Sequence, residues 1–136
     1  MAKAFSSLSP AAQWRVLVEA AKQGAVDEGY KLRRIPGRGL SNVWKMEKNG
    51  KTQIASIRTT RDLWFAYQPE ERGKKWKTLG EVDQVIVASV DSKDDPQKIE
   101  VYIFPAKEVV NRFSAAYAAR VKDGQVVKDG FGMWVA

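Results

Sequence analysis

The stretch QIASIRTT, residues 53–60, carries a hydroxyl and a guanidinium at a spacing that could bind an anion. Side chains alternate between the two faces of a β-strand, so Ser56 and Arg58 share one face with Ile54. The planar guanidinium of arginine can hold a phosphate through two parallel hydrogen bonds. The alternation therefore predicts a strand that presents Arg58 to a phosphate. An ion pair of Arg58 with Glu47 or Asp62 is an equal alternative.

Charge extends this possible anion site. The net charge is +7, and residues 1–80 carry the whole excess, with 16 basic and seven acidic side chains. Lysine and arginine release condensed counterions when they meet phosphates, so this excess indicates DNA or RNA as a partner. Solubility alone would explain it equally well. The candidate contacts to phosphate or base are Arg33, Arg34, Arg38, Ser56, Arg58, Arg61, Lys74, Lys75, Trp76 and Lys77.

Aromatic side chains interleave with these basic residues and could stack on unpaired bases. Trp64 lies in the strand-like run LWFAY, whose two faces are both apolar, so we expect it in the core. Trp76 stands between Lys75 and Lys77 in a polar stretch. We therefore predict that Trp76, rather than Trp64, is exposed to a ligand.

The residue types that are missing restrict the chemistry. The chain has no cysteine and no histidine, which excludes thiolate nucleophiles, zinc sites built from those residues and Ser-His-Asp triads. Any metal would need oxygen ligands, and the acidic run DSKDDP lacks the spacing of a calcium loop. We predict no metal, no cofactor and no catalytic residue.

Periodicity predicts an α+β fold in a single domain, residues 1–136, with residues 1–8 disordered. Ser9 and Pro10 are a typical helix start, and Trp14, Leu17, Val18 and Ala21 would form the apolar stripe of an N-terminal helix. That helix either ends at Gly24 or contains it, and Gly29 ends any continuation.

The remaining elements form a sheet and a second helix. Asn49-Gly50 predicts a type I′ hairpin between SNVWKMEK and KTQIASIRTT. LWFAYQ would add a third strand, VDQVIVASVD a buried strand and KIEVYIFP its hairpin partner. A C-terminal helix from Pro105 to about Gly124 would pack on this mixed or antiparallel sheet, and the tail would add an edge strand. No apolar run reaches the about 20 residues of a membrane span, so we place the chain in the cytoplasm, away from membranes.

The run NVWKMEKNGKTQIASIRTTRDLWFAYQ, with EVDQVIVASVD and VYIFPAKEV after it, resembles the PD-(D/E)XK nuclease-like superfamily, which includes resolvases and restriction endonucleases. The resemblance covers about residues 10–120 and implies a restriction-endonuclease-like core. In that family, one hairpin strand begins with aspartate, the other carries glutamate or glutamine, any residue, then lysine, and a Val-Asp pair opens the next buried strand.

Carried onto this chain, those positions fall near Asn42, at Ser56, at Arg58 and at Asp83. Only Asp83 keeps the family residue, and it could instead cap a turn or pair with Arg58. Asparagine and serine attract magnesium far less than carboxylates do, and arginine cannot act as a base near neutral pH. The resemblance therefore implies a degenerate catalytic site.

Three functions remain open at this point. The favoured one is a non-catalytic nucleic-acid-binding protein on a degenerate nuclease-like fold. The second is a protein-interaction or accessory module, which an apolar surface patch on the C-terminal helix would favour. The third is a nuclease with relocated ligands or a metal-independent mechanism, and two carboxylates beside Arg58 would favour it.

Overall fold

The structure is a computed structural model that describes residues 5–35, 43–60, 64–67, 69–70, 75–76, 79–91, 96, 98–122 and 131–134. Within these ranges, only the backbone is described for residues 64–66, 69–70, 75, 120–121 and 131–134. The predicted α+β class is confirmed, because two helices flank one mixed sheet of five strands. Neither described helix is long and apolar enough to cross a membrane.

Helix α1 spans Pro10–Asp27 and begins where the sequence predicted. The Ser9 hydroxyl accepts a hydrogen bond from the backbone N–H of Ala12, which satisfies one of the free donors of the first turn. Gly24 lies inside the helix, and Gly29, with a φ of 97°, turns the chain away after its end. The stripe prediction was wrong at Trp14, which is 47% exposed.

Residues 5–8, which belong to the segment predicted to be disordered, precede this helix. Phe5–Ser7 form a 3-10 turn, and Phe5 packs partly against the core. The side-chain amide of Gln13 donates to the carbonyls of Phe5 and Leu8. Two contacts from one buried amide thus hold this turn against α1.

The central sheet begins with strands β1 (Lys31–Arg34), β2 (Val43–Lys48) and β3 (Lys51–Thr60), each antiparallel to the one before. The predicted hairpin is confirmed between β2 and β3. Asn49 and Gly50 both have positive φ, 52° and 78°, as a type I′ turn requires. Because the turn fixes Lys48 opposite Lys51, it sets the register of the whole hairpin, including Val43 opposite Ser56.

Strands β7 (Gln84–Val90) and β8 (Ile99–Pro105) complete the sheet, in the order β1-β2-β3-β7-β8. Strand β7 runs parallel to β3 and antiparallel to β8, so the predicted β7–β8 hairpin is confirmed and the sheet is mixed. The connection from β3 to β7 contains the short strands β4 (Trp64–Tyr67), β5 (Pro69–Glu70) and β6 (Lys75–Trp76) and a 3-10 turn at Leu79–Glu81. None of the short strands joins the central sheet.

Helix α2 spans Ala106–Lys122, so it begins one residue after the predicted Pro105, which closes β8. Strand β9 (Phe131–Trp134) pairs antiparallel with β4. The third strand predicted in LWFAYQ and the strand predicted in the tail are therefore confirmed, but neither joins the main sheet. The two strands pair with each other instead, in a separate two-stranded sheet.

Each helix covers one face of the sheet. Under α1, the buried residues Leu17, Ala21 and Ala25 pack against Ile57 and Ile86 of the central strands. Under α2, Val109 and Phe113 pack against the opposite face together with Val85, Val87, Tyr67 and Trp76. Ser56 and Arg58 lie on the face that α2 covers, because Ser56 is directly opposite Val43 and beside Val85. The second core therefore surrounds the residues that the sequence singled out.

Candidate anion-binding site

Ser56 and Arg58 lie on one face of β3, as the alternation predicted, and both contact Tyr67 of β4. The Ser56 side chain is completely buried, and its hydroxyl and that of Tyr67 share a hydrogen bond of 3.2 Å. The Arg58 guanidinium carbon lies 4.4 Å from the centre of the Tyr67 ring. This distance is that of a cation–π contact, so the tyrosine holds both side chains in place.

The guanidinium of Arg58 contains one hydrogen-bond donor that has no partner among the described residues. Arg58 is half-buried, and its Nε atom is fully enclosed without a hydrogen-bond partner among the described residues. A buried donor left without an acceptor costs about 1–3 kcal/mol, and more when it carries charge. Nearly all buried donors in folded proteins are satisfied. Because Nε is enclosed, an anion would have to bind the part of the Arg58 guanidinium that remains exposed.

Burial raises the pKa of the Tyr67 hydroxyl above its usual range, and this effect outweighs three smaller ones. The positive charge of Arg58 and the hydrogen bonds from Ser56 and Arg58 favour the ionised phenolate and lower the pKa. The phenol is consequently protonated at neutral pH. It can donate or accept a hydrogen bond, but it supplies no negative charge to neutralise Arg58.

The Tyr67 hydroxyl should make stability depend on alkaline pH. Its folded-state pKa lies above the unfolded value of about 10, so its stabilising effect is complete below that pH and is lost as pH rises toward the folded pKa. We expect wild type to lose stability above about pH 10 more steeply than Tyr67→Phe. Urea unfolding of both proteins from neutral to alkaline pH measures this difference.

The comparison isolates Tyr67 because Tyr102, whose pKa is raised by its hydrogen bond to Glu100, is present in both proteins. Near neutral pH, Tyr67→Phe should cost about 1 kcal/mol, since the Ser56 hydroxyl loses its partner. Identical pH profiles for the two proteins would contradict the assignment of the alkaline transition to Tyr67.

A group of basic side chains lies on the same face of the sheet as Ser56 and Arg58, on strands β1 and β2. The register places Arg33 opposite Lys45, and Lys45 opposite Ile54, which packs in the α2 core. Lys31 lies on this face two residues before Arg33. All three basic side chains are exposed, and we refer to Lys31, Arg33 and Lys45 as the basic sheet face. It begins about 13 Å from Arg58, at about 3.3 Å per residue along β3.

The other residues that were predicted to contact phosphate or base do not add to the described site. Arg34 is exposed on the opposite sheet face, in register with Trp44. For Lys75 the structure describes only the backbone, in β6. Arg38, Asn42, Arg61, Lys74 and Lys77 lie outside the described residues, as does Asp62. The described site therefore consists of Ser56, Arg58 and Tyr67.

The prediction that Trp76 is exposed was wrong, because its side chain is only 1% exposed. Its indole Nε1 donates a 3.0 Å hydrogen bond to the hydroxyl of Ser114 in α2. The ring packs edge-to-face against Phe113 and Tyr117, with centroids 5.2 and 6.1 Å apart. A tryptophan held in this way anchors the connection between β3 and β7 beneath α2 and offers no face to a base.

Both predicted ion pairs of Arg58 that the structure can test are absent. Glu47 lies at the hairpin end of β2, opposite Thr52, and its carboxylate approaches Arg33 at 3.9 Å instead. Asp83 lies beside Ile54 and bonds the backbone there. Its carboxylate accepts from the N–H of Ile54 at 2.9 Å, and its own N–H donates to the carbonyl of Ile54 at 2.7 Å.

Asp83 therefore extends the pairing of β3 and β7 by one residue. Asp83→Ala should reduce the free energy of unfolding by about 1 kcal/mol, because the N–H of Ile54 loses its acceptor. Asp83→Asn retains a side-chain oxygen in the same place and is the matched control, with little expected change. Urea denaturation measures both variants, and equal losses would show that the charge matters rather than the hydrogen bond.

Known proteins do not identify a family for this chain. No protein-family model, no curated protein and no solved structure matches it. The chemistry of the described residues is therefore what indicates the function.

Two features of the described residues bear on the alternatives that the sequence left open. Among the described residues, no three acidic side chains lie close enough together to hold a metal ion. The large apolar side chains that are exposed in the described part of the chain, Trp14, Val16 and Val26, lie on α1. They are not on α2, where an interaction patch was considered.

The sequence analysis did not identify Tyr67 as the contact of Ser56 and Arg58. It also did not identify Lys45 as a basic residue on their face of the sheet. For Lys45 a signal existed, since counting back from Asn49-Gly50 places it opposite Ile54 and so on the Ser56 face. No such signal existed for Tyr67. Its position depends on how the connection after β3 folds back, which no local pattern specifies.

Proposed function

We propose that this chain is a non-catalytic nucleic-acid-binding protein on a degenerate nuclease-like fold. The observation that carries the proposal is Arg58, a half-buried guanidinium that lies against Tyr67 and forms no ion pair with Glu47 or Asp83. A phosphate oxygen is an acceptor that suits the exposed part of this guanidinium in charge and geometry. The basic sheet face supplies exposed charges on the same side of the sheet.

The environment of Ser56 supports the non-catalytic part of the proposal. At this position the nuclease-like family has glutamate or glutamine, whereas here a completely buried serine bonds Tyr67. Neither a metal ion nor a phosphodiester can reach an enclosed hydroxyl. Arg58 stands where the family has its lysine, and a guanidinium stays protonated and cannot activate water. The site can therefore attract a phosphate without cutting it.

The order of the elements also supports the nuclease-like resemblance. The family pattern has a hairpin that is followed by a buried strand opening with Val-Asp. Here, the β2–β3 hairpin is followed by β7, which lies beside β3, and Asp83 stands at its start. The residues at the corresponding positions, Ser56 and Arg58, lie on the same side of the hairpin.

Fluorescence anisotropy with labelled duplex and single-stranded DNA and RNA tests the proposal. Arg58→Gln should weaken binding about tenfold, the loss expected for one charge-assisted hydrogen bond. It should also reduce the slope of log affinity against log salt by about 0.9 for a duplex. Circular dichroism and thermal unfolding confirm that the variant is folded.

Arg15→Gln is the matched control, because Arg15 is an exposed arginine on α1, on the other side of the sheet. It changes the net charge equally and should leave the salt slope nearly unchanged. Equal effects of the two variants would refute a specific contact at Arg58. Wild type that binds no nucleic acid at low salt would refute the proposed function, and decay of the signal in magnesium would show cleavage and refute its non-catalytic part.

A further inference from the structure

The two outer strands of the central sheet differ in their ability to accept another strand. At one edge, β1 has four residues, and Lys31, Arg33 and Arg34 are basic and exposed. Short length and charge are the usual means by which proteins block pairing at an edge. At the other edge, β8 has seven residues, IEVYIFP, and Glu100 is its single charged residue.

Strand β8 also lacks the other features that block pairing. It contains no glycine and no interior proline, and its register with β7 is unbroken from Ile99 to Pro105. The side chains of residues 99–104 are all half-buried. In the described part of the chain, no strand lies beyond β8. A long, regular and apolar edge of this kind is a template for another strand.

The backbone hydrogen bonds at the two ends of β8 show which groups point outward. The carbonyl of Lys98 accepts from Asp91, and the N–H of Ala106 donates to Asp83, so both even-numbered residues face β7. Hydrogen bonding alternates along an antiparallel strand. Ile99, Val101 and Ile103 therefore direct their N–H and C=O groups away from the sheet, and no described backbone group outside the β7–β8 ladder bonds them.

We propose that a second copy of this chain pairs antiparallel with β8, about a two-fold axis at Val101, to form one continuous sheet across a homodimer. This register places Val101 opposite its copy and Ile99 opposite Ile103. All six outward backbone groups then find partners. Pro105 is the next residue whose backbone points away from β7. Because proline has no N–H, the ladder of hydrogen bonds ends there without an unsatisfied donor.

The side chains of β8 are complementary to themselves in this register. On the α1 face, Ile99, Val101 and Ile103 meet each other, and such β-branched pairs stabilise neighbouring strands. On the α2 face, Glu100 comes opposite Tyr102 of the other copy. These two side chains already form a hydrogen bond within one chain, with the Tyr102 hydroxyl as donor. The single charge of the strand thus meets a hydroxyl rather than a like charge.

The distribution of charge is compatible with a second copy as the occupant. The net charge of +7 would oppose self-association. The basic sheet face, however, lies at the β1 edge, on the far side of each sheet from the two-fold axis. Exposed positive charges at the β1 edge are thereby separated by two full sheet widths, where salt screens their repulsion.

The absence of cysteine from the chain makes a direct test possible. Val101→Cys should form a disulfide-linked dimer when the folded protein is treated with diamide, because Cα atoms of a hydrogen-bonded antiparallel pair lie about 5.5 Å apart, within disulfide range. The matched control is Lys31→Cys, an exposed position on β1. We expect Val101→Cys to link at least about tenfold faster, since pairing holds its thiols at high effective concentration.

Sedimentation velocity of wild type, over a range of concentrations, should show a monomer–dimer equilibrium. Val101→Lys places two like charges at the two-fold axis and should be monomeric where wild type is dimeric, with circular dichroism as the check on folding. A wild type that remains a monomer would overturn the inference, including the case in which β8 accepts a different protein. A dimer in which Val101→Cys links no faster than Lys31→Cys would place the interface elsewhere and overturn it too.

Discussion

Replacing Trp76 with alanine should lower the free energy of unfolding by about 3–5 kcal/mol, the usual loss for a buried tryptophan or phenylalanine. Trp76 is only 1% exposed and packs edge-to-face against Phe113 and Tyr117. Its removal leaves a cavity beneath α2 and deprives the Ser114 hydroxyl of its donor. Against a typical total of about 5–15 kcal/mol, this single change would make the protein marginal.

Trp14→Ala is the matched control for this prediction, because Trp14 is 47% exposed on α1. It removes the same side chain from a site that is already half hydrated and should cost less than about 1 kcal/mol. Urea unfolding followed by far-ultraviolet circular dichroism measures both variants without relying on tryptophan fluorescence. Comparable losses in the two variants would mean that Trp76 is not the anchor of the connection between β3 and β7.

Substituting Gly24 with leucine should lower the free energy of unfolding by about 2–3 kcal/mol through overpacking. Gly24 lies where α1 crosses β8, and a Cβ atom there would stand 2.6 Å from Cγ1 and 2.9 Å from Cβ of Val101. Contacts this short force either the helix or the strand to move. The conformational benefit of replacing a glycine in a helix, about 1 kcal/mol, offsets only part of the strain.

Gly80→Leu provides the comparison, because a Cβ atom at Gly80 would meet nothing within 4 Å. Its effect should remain within about 0.5 kcal/mol. Adding Val101→Ala to Gly24→Leu should recover part of the lost stability, since the smaller side chain gives the leucine space. Strictly additive effects in this double-mutant cycle would show that the strain does not arise at Val101.

Local signals specified the elements that the sequence predicted well. Ser9 and Pro10 define the start of α1 through one side-chain oxygen and one fixed φ angle. Asn49 and Gly50 define the hairpin because both can adopt positive φ. The pairing of Ser56 and Arg58 on one face follows from alternation alone. In each case the physical cause acts within a few residues along the chain.

The misplaced elements depend on contacts between distant segments. Trp76 lies between two lysines, which favours exposure, but Phe113 and Ser114 of α2 bury it. Strand β4 was predicted as a strand, but its partner, β9 near the other end of the chain, was not. The shared face of Ser56 and Arg58 was accordingly predicted, but their contacts with Tyr67, which lies in the same connection, were not.

The parallel pairing of β3 with β7 constrains the order in which the strands can pair during folding. The β2–β3 hairpin can close within about 1–10 μs because its turn is local. Strand β7 can align with β3 only after the intervening chain has folded back, so entropy must be lost before these contacts compensate for it. The β7–β8 hairpin, in contrast, can form by itself. We therefore expect two hairpins that form early and separately, and a slow step in which Trp76 is buried as they join.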